Sequence, residues 1–102
     1  MGEIVLLTGA GQIGMAIARR IGHGKKIIIG DKNINNAERI SKIMRESGFD
    51  TEAHECDISS RDSIQNIIKK AQKYGKIAYF INAAGVSPSQ APIEAILKVD
   101  LY

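Results

Sequence analysis

The chain has no tryptophan, one cysteine and two prolines, and aromatic residues make up only 5% of it. A single cysteine, Cys56, excludes an internal disulfide. The two histidines, His23 and His54, stand far apart, so with one thiol they give no zinc-ligand spacing. No apolar run approaches the ~20 residues of a membrane span. Met1-Gly2-Glu3 leads straight into an apolar stretch, with neither a basic region nor a cleavage site. No secretory signal is therefore read, and a cytoplasmic location is expected. Net charge is +3, but Lys25-Lys26 and Lys69-Lys70 are isolated pairs and no aromatics are interleaved with them. A nucleic-acid surface needs a basic stripe or a stacking platform, so no nucleic-acid partner is expected.

What remains is ordinary for a globular domain: 102 residues, 44% hydrophobic and 25% charged. One domain with one core is expected, burying somewhat over ~60% of its unfolded surface.

The most informative stretch is Ile4-Val-Leu-Leu-Thr8-Gly9-Ala-Gly11-Gln12-Ile13-Gly14. An apolar run ends in three spaced glycines, and an amphipathic segment with Ala16, Ile17 and Ile21 follows. This is the pattern of a strand, a tight turn and a helix start, which holds a phosphate with backbone rather than side chains. Gly9 allows the sharp turn, Gly11 the close approach of a pyrophosphate, and Gly14 the packing of helix on strand.

The rest alternates in the same way. Lys26 to Gly30 contains Ile27-Ile28-Ile29 and reads as a second buried strand. Ala37, Ile40, Ile43 and Met44 mark a second helix, started near Asn33–Asn36 and stopped by Gly48. Thr51 to Cys56 reads as a third strand. Ser59 with Asp62 resembles a capping arrangement for a third helix bearing Ile64, Ile67, Ile68 and Ala71. Ile77 to Ile81 reads as a fourth strand, and Pro88 and Pro92 precede a last helical segment running to the end. Helical crossovers imply a parallel sheet, and right-handed connections give the strand order 3-2-1-4. The fold class expected is α/β, a three-layer α/β/α sandwich truncated after strand 4. The apolar edge of strand 4 then needs cover: a second copy, the rest of a longer chain, or another partner.

Asp31 ends the second strand on the order of 20 residues after Gly9, where a carboxylate accepts hydrogen bonds from an adenosine ribose. The competing reading is an ordinary βα turn followed by a surface acid. A carboxylate there repels a 2′-phosphate and favours NAD over NADP, while Lys32 softens that repulsion.

Taken with Cys56-Asp57-Ile58-Ser59 and Ile81-Asn82-Ala83-Ala84-Gly85, these landmarks resemble the short-chain dehydrogenase/reductases over essentially the whole chain. The resemblance implies a Rossmann fold, residues 1–102 forming an NAD(P)-binding domain that is incomplete relative to the family, and hydride transfer between NAD(P) and alcohols or carbonyls. It places Thr8, Gly9, Gly11, Gln12, Ile13 and Gly14 at the pyrophosphate turn and Asp31 and Lys32 at the ribose. Asp57 and Ile58 fall at the adenine, and Asn82, Ala83, Ala84 and Gly85 along the adenosine side. The bland alternatives are a strand-end or helix-capping role for Asp57 and a plain turn after Asn82.

The chain also departs from that pattern. Its glycine turn is one residue shorter than is usual in the family, and Ala83 stands where a second asparagine is frequent. The family's acid/base pair is Tyr-x-x-x-Lys; here Ala78 stands four after Tyr74, Ala83 four after Tyr79, and Tyr102 is the last residue. Asp100 matches the position of a catalytic asparagine, keeping an acceptor oxygen and losing the amide donor; a solvent-facing acid is the equal alternative. Three readings follow: the cofactor-binding part of an oxidoreductase, inactive as this chain alone; a non-enzymatic nucleotide-binding or interaction module; or a truncated gene product. Cys56 reads as a small core or strand-end residue, His23 as a turn residue and His54 as a strand residue facing solvent.

Overall fold

A computed structural model describes residues 2–9 and 11–82, together with the backbone of residues 96–98. The elements are β1 (Glu3–Thr8), α1 (Gln12–Ile21), β2 (Lys26–Asp31), α2 (Ile34–Glu46), β3 (Asp50–Glu55), α3 (Arg61–Gln72), β4 (Lys76–Asn82) and β5 (Ile96–Lys98). The sheet order is β3-β2-β1-β4-β5. The first four strands are parallel, in the expected order 3-2-1-4.

Alternation along β1 explains the layers. Val5 and Leu7 face one side, where they pack with Ile17 of α1 and with Ala37, Ile40 and Met44 of α2. Ile4 and Leu6 face the other side, where they meet Ile67 and Ala71 of α3. The side chains of Val5, Leu6, Leu7, Ile27, Ile28 and Ile29 are fully buried. A strand covered on both faces needs a continuous apolar run, which is why β1 and β2 carry one. Burying each such side chain contributes ~1.5–3 kcal/mol.

β3 is different. Its Thr51 is buried and hydrogen-bonded to Ser41 of α2, hydroxyl to hydroxyl at 2.8 Å and hydroxyl to carbonyl at 2.9 Å. Its other side bears Glu52 and His54 in a polar network: His54 Nε2 lies 2.9 Å from Glu52 Oε1, Tyr74 donates to the same oxygen at 3.0 Å, and Lys26 Nζ lies 3.6 Å from Glu52 Oε2. His54 is thus half-buried and partnered rather than simply facing solvent.

Two expectations are corrected. Residues 96–98 are a strand antiparallel to β4, pairing Ile96 with Ile81 and Lys98 with Tyr79, not part of a terminal helix. An edge strand presents unpaired N–H and C=O groups, and a short apolar segment satisfies them by adding to the ladder. The cap of α3 is Ser60, whose hydroxyl accepts from the Ser63 amide at 3.3 Å, not Ser59. Ser59 is already engaged by Asp57, which takes its amide and its hydroxyl. No described helix is long and apolar enough to cross a membrane.

Candidate functional site

In a parallel sheet with helical crossovers, every strand delivers its carboxyl end to the same edge, and ligands bind there. Thr8, Asp31 and Asn82 are the last residues of β1, β2 and β4, and Asp57 lies just past β3. Thr8 pairs in register with Gly30 and with Asn82, so these ends are level. The buried Thr8 hydroxyl lies 3.5 Å from the Ile81 carbonyl and 3.4 Å from Asn82 Oδ1, linking β1 to β4.

The turn after β1 behaves as its glycines require. Gly9 adopts φ 88°, a conformation costly for any residue with a Cβ. Its amide donates to the Gly30 carbonyl at 2.8 Å, tying the turn to β2. Gly11 is the N-cap of α1, is exposed, and would hold a Cβ with nothing within 4 Å of it. Gln12 is exposed, Ile13 is the second residue of α1, and Gly14 is buried. Asn33 caps α2 and Ser60 caps α3, but among the described residues no side chain caps α1, and its first turn holds no acid. Its uncompensated N–H groups and positive dipole end are therefore presented to the space above the turn.

At the end of β2 the Asp31 carboxylate accepts the Asn33 amide at 2.7 Å, which fixes its orientation as the chain enters α2. Lys32 is exposed beside it. Beyond β3, the Cys56 amide donates to the Asp31 carbonyl at 2.9 Å and extends the β2–β3 pairing by one step. The Asp57 amide donates to the Ser63 hydroxyl at 2.9 Å. Asp57 Oδ1 accepts the Ser59 hydroxyl at 2.7 Å and the Ser59 amide at 3.0 Å. Those two bonds, with a smaller contribution from the Lys32 charge, outweigh slight desolvation and hold the Asp57 carboxyl below its ordinary range. Burial pushes the Cys56 thiol up; its contact with the Ser63 carbonyl opposes this and the Asp57 charge adds to it.

These elements enclose a cavity of about 210 Å3 walled by Thr8, Gly9, Asp31, Lys32, Cys56, Asp57 and Ile58. Six of the seven were read from sequence as cofactor-binding residues. Cys56, in sequence a core or strand-end residue, is the seventh; its place directly before Asp57 is the available signal. Ser59 carries a signal in the sequence only as a helix cap and a landmark, and Ser63 carries none, because their bonds to Asp57 depend on where α3 starts. Ala83, Ala84, Gly85 and Asp100 lie outside the described residues. A larger cleft of about 540 Å3 opens at the opposite edge of the sheet, near Lys25, Lys26, Phe49 and Tyr74. Its lysines are paired, Lys25 with Glu3 and Lys26 with Asp50 and Glu52. Among the described residues no cluster of His, Cys, Asp and Glu could hold a metal ion.

A parallel 3-2-1-4 sheet with an uncapped helix at a glycine turn, and an acid ending β2, defines a Rossmann-type nucleotide-binding architecture. The chain belongs to the short chain dehydrogenase family, whose model matches residues 3–100. This family binds nicotinamide dinucleotides. A short-chain dehydrogenase/reductase of Alternaria brassicicola is 37% identical over 97 residues, covering 95% of this chain and 35% of that protein. The actinorhodin polyketide ketoreductase, solved with NADPH, superposes with TM-score 0.76 at 29% identity, over 92% of this chain and 37% of that one. A metagenomic short-chain oxidoreductase in complex with NADP gives TM-score 0.64 at 27% identity, over 72% and 34% of the two chains. The chain thus spans roughly a third of the length of the curated relatives it matches.

Proposed function

We propose that this chain holds the dinucleotide of an alcohol- or carbonyl-converting oxidoreductase and binds NAD in preference to NADP. One observation carries the reading: the cavity at the carboxyl edge is walled by the glycine turn, Asp31, Lys32, Asp57 and Ile58 together. The pyrophosphate would lie over Gly9 and Gly11, where the backbone is bare and α1 presents uncapped N–H groups. Asp31, held by the Asn33 amide, would accept the ribose hydroxyls, and its charge disfavours a 2′-phosphate. Asp57 uses Oδ1 for both of its bonds to Ser59, so Oδ2 is the oxygen that would accept from the adenine amino group. Ile58 would supply apolar cover for the ring. Asn82, tied to Thr8, would border the same side.

The nicotinamide ring supplies hydride chemistry when bound; these residues bind and orient its carrier. The chain contains no Tyr-x-x-x-Lys, so turnover by these 102 residues alone is not expected. The NADPH and NADP complexes among similar structures make cofactor choice the point to test. Titration of the wild type and Asp31→Ala with NAD and NADP, followed by calorimetry, provides that test. The wild type should favour NAD and the variant should lose that preference. Equal affinities for both cofactors in both proteins would contradict the assignment of Asp31.

A further inference from the structure

We infer that Gly30 is a positioning residue for the adenosine end of this site, an inference that rests on the cofactor-binding reading above. Gly30 is buried, one residue before Asp31. Its φ is not positive, so its backbone conformation is open to any residue. Space is what forbids a side chain. A Cβ there would strike Ile67 Cδ1 on α3 and stand 2.9 Å from Cys56 Cβ and 3.7 Å from Cys56 Sγ. Such a separation between carbons is well inside van der Waals contact.

The two neighbours have different consequences. Ile67 belongs to the apolar layer beneath β1 and β2, so displacing it costs stability. Cys56 is part of the cavity wall and is covalently joined to Asp57, so displacing it moves Asp57 and Ile58 away from Asp31. Gly30 also accepts the Gly9 amide through its carbonyl at 2.8 Å. The missing side chain therefore sets how closely the β3–α3 segment approaches the end of β2, and the same residue's carbonyl ties that end to the glycine turn.

The double variant Gly30→Ala/Ile67→Val separates the two contacts. Valine lacks the Cδ1 atom that the new methyl would strike, while the Cys56 contact remains. Wild type, Ile67→Val and the double variant are compared for binding of AMP by calorimetry, for thermal stability, and for the rate at which Cys56 reacts with a chromogenic disulfide reagent. Ile67→Val is expected to bind AMP like the wild type. The double variant should fold, label faster at Cys56, and bind AMP roughly tenfold more weakly, a change of about 1.4 kcal/mol. A folded double variant with wild-type AMP affinity overturns the positioning role and leaves the site standing. A double variant that does not fold also overturns it, because the two contacts would then not be separable. No AMP or NAD binding by the wild type removes the site, and this inference with it.

Discussion

The amide of Gly9 donates to the carbonyl of Gly30 at 2.8 Å. This bond couples the glycine turn after β1 to the residue just before Asp31. The two segments assigned to pyrophosphate and ribose therefore share one fixed spacing. The turn itself requires the left-handed conformation of Gly9. Gly9→Ala should cost ~1–2 kcal/mol from that conformation alone. A urea titration should show a lower midpoint with an unchanged slope.

Asp31→Ala removes a carboxylate that charge-assisted hydrogen bonds would engage, each worth ~1.5–3 kcal/mol. NAD affinity should fall by at least about tenfold, which corresponds to 1.4 kcal/mol. NADP affinity should fall less or rise, because the repulsion of its 2′-phosphate is lifted. Calorimetry with both cofactors reads the two effects separately.

Glu52 makes stability depend on pH. Burial pushes its carboxyl up, but hydrogen bonds from Tyr74 and His54, and the charges of His54 and Lys26, outweigh this and hold it below its ordinary value. A carboxyl lowered on folding adds stability above its unfolded pKa and loses it as pH falls through the folded one. The urea midpoint should therefore drop as pH falls below the ordinary glutamate range and through the lowered Glu52 value. Tyr74→Phe should lower stability at neutral pH and lessen that dependence. Parallel curves for the two proteins would count against it.

Asp57 carries the same sign, through Ser59. Ser59→Ala deletes the 2.7 Å hydroxyl bond, the leading cause of its lowered pKa, and keeps the amide bond. Carboxyl resonances followed by NMR should show Asp57 titrating at higher pH in the variant. An unshifted titration would separate Ser59 from Asp57.

Much of this was legible because it is local or periodic. Ile27-Ile28-Ile29, β-branched, short and bounded by lysine and glycine, reads as a strand covered on both faces, and Asp31 at its end follows from counting. Asn33 and the glycines similarly announce the boundaries of α2. The cap of α3 slipped by one residue because two serines adjoin and Asp57 competes for the first. The prolines upstream make the segment at 96–98 read as helical, but its pairing depends on an open edge on β4, which local sequence does not show. The Glu52, His54 and Tyr74 network joins residues distant in sequence. In sequence Gly30 only ends a buried strand; that it must lack a side chain depends on the packing of Cys56 and Ile67, which are distant in sequence.

If the carboxyl edge of this sheet is a dinucleotide site, NAD must perturb it. Adding NAD to the isotopically labelled chain and following amide resonances tests it most directly. Saturable shifts are expected at Gly9, Gly11, Asp31, Lys32, Asp57 and Ile58, with none around His23 and Phe49 at the opposite edge. Shifts confined to that opposite edge, or no saturable shifts at all, would contradict it.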